Sequence, residues 1–156
     1  MSTETTKFVY VTYITATAEK VFEAITKADI ARRYWGHGNV SDWQPGSKWE
    51  HVAADGTVRI VGKVIETAPP KRLVISWANP AHAADPAQNS RVTFDLVPYD
   101  GGMVKLTVTH DELEAGSKMA TDISGGWPLV LSSLKSFLET GRAIDILGVK
   151  RTSAAA

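Results

Sequence analysis

The sequence predicts an α+β fold in which one antiparallel sheet packs against a long C-terminal helix. Three observations carry that expectation. A run of β-branched and aromatic segments punctuated by turn residues occupies the middle of the chain. Two short helical patterns interrupt it only after the first strand. An apolar stripe then recurs near the end at Ile123, Trp127, Val130/Leu131, Leu134 and Phe137/Leu138, the three-to-four spacing of an amphipathic helix. Only that helix is long enough to cover a sheet, so the layers must be sheet below and helix above.

Residues 7–14 alternate and form the first strand. Thr17 caps a short helix with Glu19 in its first turn and Val21, Phe22 and Ile25 facing inward. A second short helix is expected over 29–34, ending before Gly36-His37-Gly38. Residues 40–42 make a brief strand, Gln44-Pro45-Gly46 turns the chain, and 48–52 form a strand ending in the hairpin signal Asp55-Gly56. Residues 58–67 form a long strand in which Gly62 marks a bulge or bend. Pro69-Pro70-Lys71-Arg72 turns into a strand over 73–78, and 79–89 reads as an exposed, mobile loop. Strands 91–97 and 103–111 join across Asp100-Gly101-Gly102. In the last helix Ser132, Ser133, Lys135, Ser136 and Glu139 fall on the face opposite the apolar stripe, and Gly141 stands at the C-cap. Gly125, Gly126 and Pro128 oppose an uninterrupted helix, since each interior glycine costs about 1 kcal/mol and an interior proline about 3. The segment is therefore expected either to start near Trp127 or to break at the glycines.

The chain of 156 residues makes one domain, with 1–6 and 152–156 expected as flexible ends. Its 17 basic and 17 acidic residues cancel, which argues against a nucleic-acid footprint. There is no cysteine, hence no disulfide, thiol nucleophile or Cys-based zinc site. No apolar run suits a signal core or a membrane span, so the expected location is cytoplasmic, without membrane insertion. Five tryptophans, at 35, 43, 49, 77 and 127, offer wide flat walls suited to a packed core or a cavity.

Several segments together resemble one family. They are Thr17-Ala18-Glu19-Lys20-Val21-Phe22-Glu23-Ala24-Ile25-Thr26, Arg33-Tyr34-Trp35-Gly36, Gly62-Lys63-Val64-Ile65-Glu66 leading into Pro69 through Trp77, Thr107-Val108-Thr109-His110, and Gly126-Trp127. Their order resembles the START-like (SRPBCC) superfamily, and within it the activator of heat-shock-protein-90 ATPase C-terminal-domain-like family. The resemblance runs from about residue 8 to 138. It implies a helix-grip fold, a curved sheet of about six to seven strands around the long helix with two short helices after the first strand. It also implies an internal hydrophobic cavity, no shared cofactor and no shared catalytic constellation.

Alternation places Val104, Leu106, Val108 and His110 on one face of the last strand, which puts His110 at the inner rim of that cavity. There it serves either as a polar anchor or proton acceptor for a ligand, or as a hydrogen-bonded structural histidine. Leu73, Ile75 and Trp77 share a face, as do Val92, Phe94 and Leu96, and Trp49 shares one with His51. The candidate ligand-binding residues are accordingly Trp49, Trp77, Phe94, Leu106, His110, Trp127 and Leu131. The four histidines show no metal-ligand spacing, no glycine cluster suits a phosphate, and no catalytic residue is nominated.

The expected function is binding of an apolar or amphipathic small molecule in the cavity. A cyclase- or hydrolase-like enzyme would need two convergent polar groups there. A co-chaperone-like interaction module is the third possibility. Its eukaryotic namesake carries a further N-terminal domain, and only six residues precede the first strand in this chain. Unpaired sheet edges make a homodimer possible.

Overall fold

The structure, a computed structural model, describes residues 4–147; the expected flexible tail at 152–156 lies outside them. The chain runs β1 (Thr5–Ile14), α1 (Ala18–Thr26), α2 (Ala28–Trp35), β2 (His37–Val40), β3 (Lys48–Ala53), β4 (Val58–Ala68), β5 (Arg72–Trp77), β6 (Ser90–Tyr99), β7 (Met103–Glu114) and α3 (Lys118–Thr140). All seven strands join one curved antiparallel sheet in the order β1-β7-β6-β5-β4-β3-β2, with β1 and β2 at its edges. This is the expected helix-grip arrangement.

Local chemistry sets most boundaries. The Thr17 hydroxyl accepts from the Lys20 N–H at 3.2 Å and starts α1. Gly36 and Gly141 end α2 and α3 in the left-handed conformation. The first strand begins at Thr5, ahead of the expected start, because Thr5 and Thr6 pair with Glu114 and Leu113. The short strand expected at 40–42 is instead His37–Val40, paired with β3. The 79–89 loop is more regular than its composition suggests. Asn79 and Asp85 each cap a 3₁₀ turn, and the Asn89 amide donates to the Ala83 and Asp85 carbonyls.

The core follows the alternation. Val104, Leu106, Val108 and His110 are all fully buried, with Leu96 opposite Leu106, Phe94 opposite Val108 and Val92 opposite His110. On the other side of β6, Leu73 faces Phe94 and Ile75 faces Val92. This ladder of inward side chains meets α3 through Ile123, Trp127, Val130, Leu131 and Leu134.

Helix α3 corrects two expectations. It neither starts at Trp127 nor breaks at the glycines: Ser117 caps it through Ala120 N–H, and it continues for 23 residues through Pro128. Burying each large apolar side chain returns about 1.5–3 kcal/mol, so the stripe outweighs the propensity cost. Ser133, assigned from its polarity to the outer face, is fully buried. Its hydroxyl donates to the Tyr34 carbonyl at 2.7 Å and accepts from Ile144 N–H at 3.0 Å, tying α3 to α2 and to the segment beyond Gly141.

Strand β4 is irregular at two points. Opposite β3 the register jumps so that His51 pairs with Ile60 and Val52 with Val58, which leaves Arg59 as an extra residue. Opposite β5 a second jump leaves Ile65 unpaired. Such bulges bend and twist a strand and re-aim its side chains.

Candidate functional site

A cavity of about 450 Å³ opens between the first half of α3 and the β2–β5 end of the sheet. Its aromatic wall comes from Trp35 at the end of α2, Trp77 in β5 and Trp127 in α3, with ring centroids 5.5 Å apart for Trp35–Trp127 and for Trp77–Trp127. Ile60, Met119, Ile123 and Val130 complete the apolar lining, and His37, His51, Arg59, Asn79 and Asp122 supply the polar groups. Gly126 lies on the same wall, where an added Cβ would meet nothing within 4 Å. An interior glycine is a poor helix residue, yet here its missing side chain is cavity volume.

Two hydrogen-bonded chains hold the wall. In the first, the Trp127 indole N–H donates to His110 Nδ1 at 3.0 Å. His110 must then carry its proton on Nε2, which lies 2.7 Å from the Ser90 hydroxyl, and that hydroxyl donates to the Trp77 carbonyl at 3.1 Å. Both ring nitrogens of His110 are therefore used inside the protein. In the second chain the Asn39 amide donates to the Ile25 carbonyl, which leaves its Oδ1 to accept from His51 Nδ1 at 2.7 Å. His51 Nε2 then accepts from His37 Nδ1 at 3.1 Å, leaving His37 Nε2 as an unprotonated acceptor. Among the described residues no third metal ligand joins this histidine pair.

Burial lowers all three rings below the ordinary histidine value. His110 falls to about 4 against a small opposing effect of Asp111, and His51 to about 3, where His37 adds to the burial. His37 shifts the same way, from burial first and then from the Arg59 charge, with Asp55 opposing. The sign for stability follows. The unfolded rings take up protons near pH 6.5 while the folded ones stay neutral, so the unfolded state gains as pH falls. Stability is full above about pH 6.5 and falls toward pH 4, with His110 alone removing up to about 3 kcal/mol. Ring-proton NMR should show His110 and His51 flat from pH 8 to 5; midpoints near 6.5 would refute this.

Of the seven residues the sequence nominated, Trp77 and Trp127 line the cavity. Trp49, Phe94, Leu106, His110 and Leu131 do not; they are buried behind it. Trp49 packs on Trp77 at 5.4 Å and spends its N–H on the Ser76 carbonyl, and Phe94 sits edge-on to Trp127. His110 has no exposed surface, so the anchor role gives way to the structural one. Sequence reading did not nominate Trp35, His37, His51, Arg59 or Gly126. The one available signal was Gly126 itself, an unfavourable residue inside a strong helical stripe.

The family model described as Activator of Hsp90 ATPase homolog 1-like protein matches residues 15–139. No curated protein matches the sequence. Among solved structures, the Aha1 dimer from Colwellia psychrerythraea is 20% identical with a TM-score of 0.74, covering 88% of this chain and 99% of that one. A protein from Cytophaga hutchinsonii is 27% identical with a TM-score of 0.71, covering 90% and 98%. An HSP90 activator from Plasmodium falciparum is 22% identical with a TM-score of 0.70, covering 85% and 95%.

Proposed function

The chain belongs to the Activator of Hsp90 ATPase homolog 1-like family, and on that premise we propose that it binds an apolar or amphipathic small molecule in the cavity under α3. One observation carries the reading. Trp35, Trp77 and Trp127 line one cavity of about 450 Å³ together with Ile60, Met119, Ile123 and Val130. The volume lies within the usual range for small-molecule pockets, and three indoles offer flat apolar contact.

Gly126 provides the test. Gly126→Ala should raise stability by about 0.5–1 kcal/mol, because alanine is the better helix residue and its methyl enters open space. Gly126→Leu should fill the cavity and abolish binding of a hydrophobic fluorescent probe while the protein stays folded. Undiminished probe binding by the folded Leu variant would place the ligand elsewhere.

A reaction on the bound molecule is the second reading, favoured by His37, whose free Nε2 can take a proton at the cavity wall. Mass spectrometry of a recovered ligand decides between them: an unaltered compound means a carrier, and a converted one an enzyme. A homodimer and a chaperone partner rest on fold likeness to the dimeric Aha1 and the HSP90 activator alone. Light scattering and titration with a chaperone of that class test them. Among the described residues no helix is long and apolar enough to cross a membrane.

A further inference from the structure

The bulge in β4 gives the cavity a chemical preference. In a regular strand consecutive side chains point to opposite faces, yet Arg59 and Ile60 both line the cavity. They can do so because Arg59 is the extra residue between the His51–Ile60 and Val52–Val58 pairs. Its guanidinium has no hydrogen bond or salt bridge among the described residues, whereas Arg72 and Arg91 each hold two carboxylates. The carboxylate on the opposite wall, Asp122, is already matched by Lys118 at 2.6 Å. The cavity therefore carries one guanidinium without a contact partner beside its indole wall; Asp55 feels its charge but forms no ion pair with it.

We propose that the cavity takes a planar aromatic molecule bearing an acidic group, with its rings against Trp35, Trp77 and Trp127 and its anion at Arg59. This rests on the binding reading above and adds the ligand class. Guanidinium suits the role, since it stays charged and presents paired donors to a carboxylate or sulfonate. His37 stands on the same wall, where the Arg59 charge disfavours its protonation; an anion held at Arg59 would offset that charge and let the imidazole take a proton and donate through Nε2. His37 would then still donate from Nδ1 to His51.

The experiment compares two fluorescent probes with one skeleton, 8-anilino-1-naphthalenesulfonate and its uncharged counterpart N-phenyl-1-naphthylamine. The wild-type protein should bind the sulfonate more tightly by about tenfold, a difference typical of one charge-assisted contact. Arg59→Gln should remove that preference by weakening the sulfonate alone, and Arg59→Lys should retain part of it. Arg59 is exposed, so both variants should melt like the wild type. Equal binding of the two probes, or an equal effect of Arg59→Gln on both, would overturn the anion subsite and leave the binding reading standing. Failure of both probes to bind, or binding that survives Gly126→Leu, would overturn the binding reading itself and this inference with it.

Discussion

Trp127→Ala should lower the unfolding free energy by about 3–5 kcal/mol, the range for truncating a buried large aromatic residue. The ring is 3% exposed and touches Trp35, Trp77 and Phe94, so little of the space it leaves can close. Its N–H is also the donor that satisfies His110 Nδ1, and removing it leaves that nitrogen buried without a partner. The setting amplifies the loss. Helix α3 includes two glycines and a proline, about 5 kcal/mol of unfavourable propensity, and holds together because its inner face is packed. Domains of this kind are stable by about 5–15 kcal/mol in total, so one side chain carries a large share. Trp127→Phe separates the contributions by keeping an aromatic ring and deleting the donor, and it should fall between wild type and Ala. Urea unfolding with an unchanged m-value gives both numbers. A loss under about 1 kcal/mol for Trp127→Ala would mean the indole does not anchor α3.

Gly62→Ala should be nearly as damaging, although it adds only a methyl group. Gly62 lies opposite Trp49 in the β3–β4 ladder, and a Cβ there would collide with the Ser76 carbonyl and the Trp49 indole nitrogen. Those two groups are hydrogen-bonded to each other at 2.7 Å directly over the glycine. Neither can yield cheaply, since one is backbone of β5 and the other belongs to a side chain 1% exposed. Overpacking costs about 1–3 kcal/mol and a lost buried hydrogen bond about 1 more, so about 3 kcal/mol is expected. The same shift would disturb Trp77 next to Ser76, so probe binding should weaken along with stability. A variant with an unchanged unfolding midpoint would show that β4 and β5 can move apart here. The sequence marked Gly62 as a bulge or bend, but its position is a close approach of neighbouring groups; the bulges of β4 fall at Arg59 and Ile65.

The candidate site divides along similar lines. Trp77 was legible because strand alternation placed it with Leu73 and Ile75 on the inner face, and Trp127 because the helical stripe pointed it at the sheet. His110 was placed on the correct face and assigned one role too many. Alternation tells which side of a sheet a residue occupies, but not whether that side is packed shut at its position. Leu106, Phe94 and Leu131 are packed within the core, whereas Trp127 and Trp77 stand where the cavity opens. Arg59 was hidden for a sharper reason: a bulge breaks the two-residue period on which the reading depended.

The α+β class, the strand and helix order, the caps at Thr17 and Gly141, and the inward set of β5, β6 and β7 were all readable from the amino-acid order. These rest on local rules, namely period, turn chemistry and capping, which act within a few residues. It took the folded arrangement to establish that α3 runs unbroken through Gly125, Gly126 and Pro128, that Ser133 is buried, and that His37, His51, Arg59 and Gly126 share one cavity. Those outcomes depend on side chains distant in sequence meeting at one point, where packing and hydrogen bonds worth several kcal/mol override propensities of about 1 kcal/mol per residue.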